Sequence, residues 1–317
     1  MTSPIEIQRT RRIPTYAYNA SAQALGGTIR QGKRTTVVPT IASVCLASAG
    51  GEASNSVENY FRDDISFTRA QTRVSGYSSA VKGDAGARRY FTYADVLLTN
   101  LQVFERMKIN FMQATVTSER TIASNDPELE LRPDLSRFTI RLFYHGIEAD
   151  GDEVVPDVDI ELCHAGSYAD FLRLLVEKQA ELPEETQKLL GSLSGGLTKQ
   201  SADSPQPAIN APLVKIKMKD ETMVRGNRVT LPNFGRARFG EVLVKPDRQR
   251  VTLLRLTLDS DWEKTPNGRK FREEETVVLK ADAEARETFT FAPGRGDGDG
   301  GAMSTGDSAS NGIPIWP

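Results

Sequence analysis

Two histidines, His145 and His164, and two cysteines, Cys45 and Cys163, are all the chain offers as soft metal ligands or imidazole bases. His145, in Tyr144-His145-Gly146 beside an acidic turn, is the better candidate base. General-base chemistry needs a nucleophile held beside it, and the expected role of His145 is that of an exposed residue at a strand end. Cys163 and His164 are sequence neighbours, so on a regular strand they point to opposite sides and do not share one ion. Neither CxxC nor HxxxH spacing occurs. Gly191-Ser192-Leu193-Ser194-Gly195-Gly196-Leu197-Thr198 has the glycine spacing of a phosphate loop. Leu197 takes the place of the phosphate-binding lysine, and the segment follows a helical pattern instead of leaving a strand. Leu193-Ser194-Gly195-Gly196 also echoes an ATP-cassette signature, without a companion nucleotide motif. Asp297, Asp299 and Asp307 among glycines lack the closing glutamate of a calcium loop. Arg295-Gly296-Asp297 spells an adhesion tripeptide that arises readily by chance in such composition. No catalytic residue, metal site or cofactor is expected, and the protein is read as a non-enzyme.

Surface chemistry is the remaining lead. Lys215, Lys217 and Lys219 alternate with Val214, Ile216 and Met218, giving one lysine face and one apolar face on a single strand. The lysine stripe could meet anionic lipid or the acidic face of Asp157, Asp159 and Glu161, and it could also guard a sheet edge against unwanted pairing, the favoured reading. Arg9, Arg11 and Arg12 make the N-terminal end basic, while the stretch after residue 280 leans acidic. The chain finishes in Ile313-Pro314-Ile315-Trp316-Pro317, where Trp316 could serve as a docking residue. Formal net charge is -2. Near neutrality disfavours a general polyanion binder, nucleic acid included, and gives little repulsion between copies. The expected partners are therefore a second copy of the chain or another protein, with the membrane a less favoured partner.

Those residues need elements to hold them. The densest apolar stretch without Gly or Pro runs from Arg89 to Glu119 and is expected to supply two or three core strands. Its apolar residues fall on both parities, as when both faces of a strand are covered. Phe138, Ile140, Leu142 and Tyr144 share one parity, followed by a turn at Asp150-Gly151 and a return strand over 154–162. Ser167 followed by Asp170 is a capping-box variant before Tyr168, Phe171, Leu172 and Leu175, which have helical spacing. Pro183 with Glu184 and Glu185 predicts a second helix start. Phe239 to Lys245, Pro246-Asp247 and Arg250 to Leu258 form the clearest hairpin, with Val242 and Val244 expected to face Leu254, Leu256 and Leu258.

The division that follows is a basic arm over 1–22, in which Ile13 to Tyr18 could pair as an edge strand, a β-rich domain over 23–166, a helical insert over 167–193 and a flexible linker over 194–212. A hairpin-rich part of the same body covers 213–291, and a disordered Gly/Asp/Ser tail covers 292–317. The fold class expected is mainly β: an antiparallel sandwich or layered body with a small helical insert and that tail. With no apolar leader after a basic start, the cytoplasm is the default compartment. The segment Val96 to Ser118, with Asn100-Leu101-Gln102-Val103 leading into Ala114-Thr115-Val116-Thr117-Ser118, resembles the β-ladder surface modules of bacterial choice-of-anchor-type proteins. Those are exported and anchored proteins, and the resemblance implies no function here. The function expected is non-enzymatic binding or assembly, with homo-oligomers as one form. The alternative is a membrane-active, pore-forming type of protein, suggested by the Ser/Thr-rich run from Asp64 to Val81. Arg69 and Arg73, at the parity of Ile65 and Phe67, weigh against a lipid-facing strand there.

Overall fold

In the computed structural model, the residues described are 15–31, 34–62, 65–83, 87–122, 136–182, 187, 190, 208–232, 234–245, 248–258 and 302–315. The chain order is β1 (Thr15–Gln31), β2 (Arg34–Cys45), β3 (Gly51–Arg62), β4 (Ile65–Ala80), β5 (Arg88–Val103), β6 (Met107–Ile122), β7 (Ser136–Ala149) and β8 (Asp152–Val158). Two helices follow, α1 (Ile160–Cys163) and α2 (Tyr168–Glu177). The remaining strands are β9 (Ile209–Pro212), β10 (Val214–Met218), β11 (Val224–Arg225), β12 (Arg228–Leu231), β13 (Gly235–Lys245), β14 (Arg248–Leu258) and β15 (Ala302–Ile315). The protein is mainly β and its strands pair antiparallel throughout.

Two sheets form the body. One, sheet A, has the order β11-β12-β13-β14-β15-β1-β2, with β9 also paired to β13; the other, sheet B, runs β10-β8-β7-β6-β5-β4-β3. β1 lies over β4 and β5, β15 over β5 and β6, and β14 over β6. The core lies between them: Leu25, Val251, Leu254 and Phe239 from one side meet Ala94, Val96, Leu98, Met112 and Val116 from the other. One end of the sandwich is closed by Tyr16, Tyr18, Tyr90 and Ile122, where the rings of Tyr16 and Tyr90 stack at 4.1 Å. Among the turns, Arg106 pairs with Asp150, donates to the carbonyl of Pro232 at 3.1 Å and lies 5.2 Å from the ring centre of Phe234. That single guanidinium ties together the turns β5–β6, β7–β8 and β12–β13.

The apolar residues on both parities of the central stretch have a different cause from the one expected. In β5 the even residues Ala94, Val96 and Leu98 are buried, and after Asn100 the odd residues Leu101 and Val103 are. The switch falls at Asn100, which has φ +52°. One residue in the left-handed region breaks the alternation and turns the following side chains to the other face. Asn tolerates that conformation better than most residues with a side chain. The registers place Asn59, Thr68, Asn100, Asn110 and Gly146 in one row across β3 to β7. Asn59 (φ +54°) and Gly146 (φ +60°) share the left-handed region, and burial switches parity at this row in β4, β6 and β7 as well. Asn100 Nδ2 donates to Thr68 Oγ1 at 2.9 Å across the row.

The facing sheet is built in the same way. Gly240, Leu253, Gly306, Ala24 and Ala42 lie in one row across β13, β14, β15, β1 and β2, with Gly240 at φ +56° and Ala42 at φ +47°. Each sheet therefore carries a transverse crease. Tyr144 links the two sheets at this level, its phenol donating to the Leu253 carbonyl at 2.8 Å. Leu213 N donates to Gly240 O at 2.7 Å where the chain passes from β9 in sheet A to β10 in sheet B.

Several boundaries differ from expectation. Residues 15–22, expected in a basic arm, are the first half of β1, an interior strand with Tyr16, Tyr18, Ala20 and Ala22 buried. Gly26 and Gly27 lie within β1, where its pairing with β2 shifts register. The return strand stops at Val158, because Asp159 caps a helix, accepting from Leu162 N at 3.1 Å. The helix after Ser167 is as expected, with Ser167 Oγ accepting from Asp170 N at 3.1 Å and Phe171 and Leu175 buried. The last four residues of the expected linker form β9, whose Ile209 and Ala211 are buried; two apolar residues are too few for their alternation to stand out in a proline-rich stretch. In the β13–β14 hairpin Val242 faces Val251, Val244 faces Gln249, and Leu254 faces Phe239. The pairing of Lys245 with Arg248 fixes that register, and Gly240 changes which parity is buried. Within the stretch read as a disordered tail, Ala302–Ile315 has strand geometry between β14 and β1.

Candidate interaction surfaces

Of the residues singled out from sequence, Arg9, Arg11, Arg12 and Trp316 lie outside the described residues, as does the near-miss phosphate loop. Lys215 and Lys217 alternate on β10 with buried Val214, Ile216 and Met218, as the pattern predicted, and Lys219 follows the strand. β10 pairs with β8, and Lys217 Nζ lies 2.9 Å from Asp157 Oδ2. The lysine stripe thus meets the first of the three acids within the chain. The other two, Asp159 and Glu161, share Lys178, whose Nζ is 2.7 Å and 2.9 Å from them. β10 is not a bare edge, since Ile216 N donates to Gly226 O at 2.9 Å.

His145 is exposed on the outer face of β7, directly opposite Phe111. His164 caps α1, and Cys163 is buried in the last turn of that helix, not at a strand end. Burial pushes the Cys163 thiol up to about 12, with the negative charge of Asp159 adding to the effect. Cys45 is exposed at the end of β2. Among the described residues, no three of His, Cys, Asp and Glu gather to hold a metal. Within the run from Asp64 to Val81, Ile65–Ala80 is β4, paired on both sides, with Ile65, Phe67, Ala70 and Val74 turned into the sandwich. Arg69 and Arg73 face outward there, because the crease reverses the parity between Phe67 and Ala70.

The outer face of sheet B is polar with aromatic ends. At its centre Asp95, almost buried, accepts from Gln113 Nε2 at 2.9 Å and from Thr115 Oγ1 at 2.7 Å. Tyr93 joins this group, its phenol pushed up by burial and then by the Asp95 charge. Tyr77 and Phe91 stack at 5.0 Å toward one end, and Phe111 meets Phe143 edge-on at 5.3 Å toward the other. Among the described residues the face ends at β3, which pairs with β4 along one side only. Side chains of β3 are exposed along most of its length on both faces, and Phe61 is 80% exposed. Asn55 Nδ2 reaches the carbonyl of Ser43 on β2 at 3.1 Å, the side-chain bond by which β3 touches sheet A.

Arginines gather on the outward side of β12, β13 and β14 in sheet A, which sequence reading missed. Arg228, Arg238 and Arg255 stand in one row across β12, β13 and β14, each directly opposite the next. Arg236 is two residues along β13 and Arg250 lies opposite Leu243 beyond the crease. Glu241 is the one acid on these three strands. Its side chain is only 10% exposed and lies 3.2 Å from Arg255 Nε and 3.7 Å from Arg238. Oε2 of Glu241 makes no directed hydrogen bond, so the contact with Arg255 is an off-axis ion pair. Arg236 and Arg238 alternate visibly in Gly235-Arg236-Ala237-Arg238-Phe239, but only the register of three strands brings Arg228 and Arg255 beside them.

No curated protein and no solved structure matches the chain. A family model described as a domain of unknown function (DUF8256) matches residues 16–245. That span opens at the second residue of β1 and closes at the last residue of β13, taking in all of sheet B and more than half of the sequence, and the chain belongs to this family.

Proposed function

We propose that the protein is a non-enzymatic binding or assembly module that associates through the open edge of sheet B. The observation carrying this reading is β3: twelve residues long, paired on one side among the described residues, and exposed on both faces. An edge strand of that length presents a row of backbone donors and acceptors to any strand that aligns with it. Its side chains do little to block the approach, since Ser54, Asn55 and Ser56 are small or neutral and exposed. The partner is a second copy of the chain or an extended segment of another protein. Light scattering over a range of concentrations tests the reading. Self-association that is lost in Ser54→Lys/Ser56→Lys supports it, because lysines on an edge strand oppose strand addition. A strict monomer at high concentration, with no extended peptide captured on β3, removes it.

A further inference from the structure

The β3 edge has a companion. β2 ends sheet A on the same flank of the sandwich as β3 ends sheet B, and among the described residues it pairs with β1 and no other strand. The two edges lie beside each other, and Asn55 Nδ2 on β3 reaches the Ser43 carbonyl of β2 at 3.1 Å. The apolar side chains lining this flank are incompletely covered. Ala53, Val57 and Tyr60 of β3 pack against the core but are only half-buried, as are Val44 of β2 and Leu46 just after it. At the opposite flank the corresponding side chains are covered: Val214, Ile216 and Met218 on β10 and Val229 and Leu231 on β12 are buried. There the chain itself crosses from β9 to β10, and Ile216 N donates to Gly226 O beside β11. One flank is therefore sealed, and the other presents two strand edges with an apolar seam between them.

The dimensions and charge of that flank select its occupant. Each edge strand has twelve residues, so the flank is about 40 Å long; with sheets about 10 Å apart and side chains on both outer faces it is about 20 Å wide. Covering it removes roughly 800 Å² from each partner, the contribution each side makes to a stable interface of standard size. A single extended peptide reaches one edge and leaves the seam and the other edge open, whereas a second sandwich covers them together. Arg34 and Arg62 stand against Glu52 and Glu58 on the two strands, so their formal charges cancel. Neither strand carries the lysines by which sheet edges oppose their own kind. Pro39 takes one donor from β2, as prolines do on edge strands, which leaves β3 the stronger of the two edges. Building on the reading of β3 as an open edge, we propose that the β2–β3 flank is a two-fold interface with a second copy of the chain. Both sheets then continue from one copy into the other, and the seam becomes core. A two-fold axis in the plane of the flank uses the same surface on both copies and leaves none for a third, so the assembly is a closed dimer and not a filament.

Sedimentation equilibrium and amide hydrogen exchange of the full chain test the assignment. A monomer–dimer equilibrium is expected, with a mass that levels off at two chains. Between concentrations about tenfold below and about tenfold above its midpoint, exchange should slow in both 34–45 and 51–62 and stay unchanged in the interior strands β5 and β6. Val37→Lys/Thr40→Lys puts two charges at exposed positions of β2 and should weaken the dimer at least about tenfold, as Ser54→Lys/Ser56→Lys does on β3. Circular dichroism and a thermal melt establish that both variants are folded, and the exchange measurement needs no variant. Slowing confined to 51–62 would overturn the two-edge dimer, as would association lost with the β3 lysines but indifferent to those on β2. Masses that climb past two chains, or a monomer that captures an extended peptide on β3, would overturn it too. In each of these outcomes β3 still serves as an open edge. A monomer that captures no peptide removes both readings.

Discussion

Gly240 is the residue at which the two creased sheets and the crossing chain meet, and Gly240→Ala should therefore be costly in a way that can be divided. The residue has φ +56°, where an L side chain places its Cβ against the following carbonyl at a cost of roughly 1–2 kcal/mol. A Cβ there would also overlap Val214 Cγ2, and it would come within 3.2 Å of Val214 Cβ and 3.3 Å of Leu142 Cδ1. Val214 is 2% exposed at the start of β10 and cannot swing aside, so overpacking adds about 1–3 kcal/mol. The sum, about 2–5 kcal/mol, is a large share of the stability of an ordinary domain. Gly151 isolates the first contribution: its φ is +85° and nothing lies within 4 Å of its would-be Cβ. Gly151→Ala should cost about 1–2 kcal/mol. Urea unfolding followed by tryptophan fluorescence or circular dichroism gives both values from the shift in midpoint at constant slope. Val214→Ala in the Gly240→Ala background should recover part of the loss, with a coupling of at least about 1 kcal/mol. If Gly240→Ala costs no more than Gly151→Ala, or the coupling is absent, the close approach of β10 to the crease is not what the structure indicates.

Two further outcomes can be measured alongside it. Tyr144→Phe deletes the bond to the Leu253 carbonyl and leaves that buried acceptor without its partner, a loss of about 1–3 kcal/mol in the same urea assay. Cys163 has a folded-state pKa of about 12 against an ordinary thiol value near 8.5, so the neutral thiol is the form the fold accepts. Its contribution to stability is whole below the unfolded value and is lost as pH rises from about 9 toward 12. Thermal midpoints should thus fall over that window by less in Cys163→Ala than in the parent. A thiol reagent at neutral pH should label Cys45 in the folded protein and Cys163 only after denaturation.

The elements were largely legible, and the surfaces were not. Alternation gave β10, the helix start at Ser167 and the long central strands, because each is a local pattern with its own period. Asn100 defeated the reading of the central stretch, since an asparagine inside an apolar run carries no mark of a left-handed backbone. Residues 15–22 and Ile209 to Pro212 were misplaced because short runs rich in Ala, Asn, Ser and Pro have too little apolar contrast for alternation to show. The arginine row could not be read at all without register. Arg228, Arg238 and Arg255 lie far enough apart in sequence that their neighbourhood exists only once three strands are paired. Whole-chain neutrality then masked it, because acids elsewhere balance the count.

Antiparallel strands rich in Ser and Thr have a common weakness: sliding by two residues returns every side chain to its former face, so the hydrophobic pattern alone does not forbid it. The crease removes that freedom. A strand such as β5 has even residues inward before Asn100 and odd residues inward after it. Slid by two, it would carry its reversal point away from the reversal points of β4 and β6, leaving residues between the two rows facing the wrong way. No displacement short of the native one satisfies both halves, so the row of left-handed residues acts as an index mark that sets absolute alignment across the sheet. Strands of sixteen residues, about 50 Å long, can then be built from low-contrast sequence and still find a single pairing.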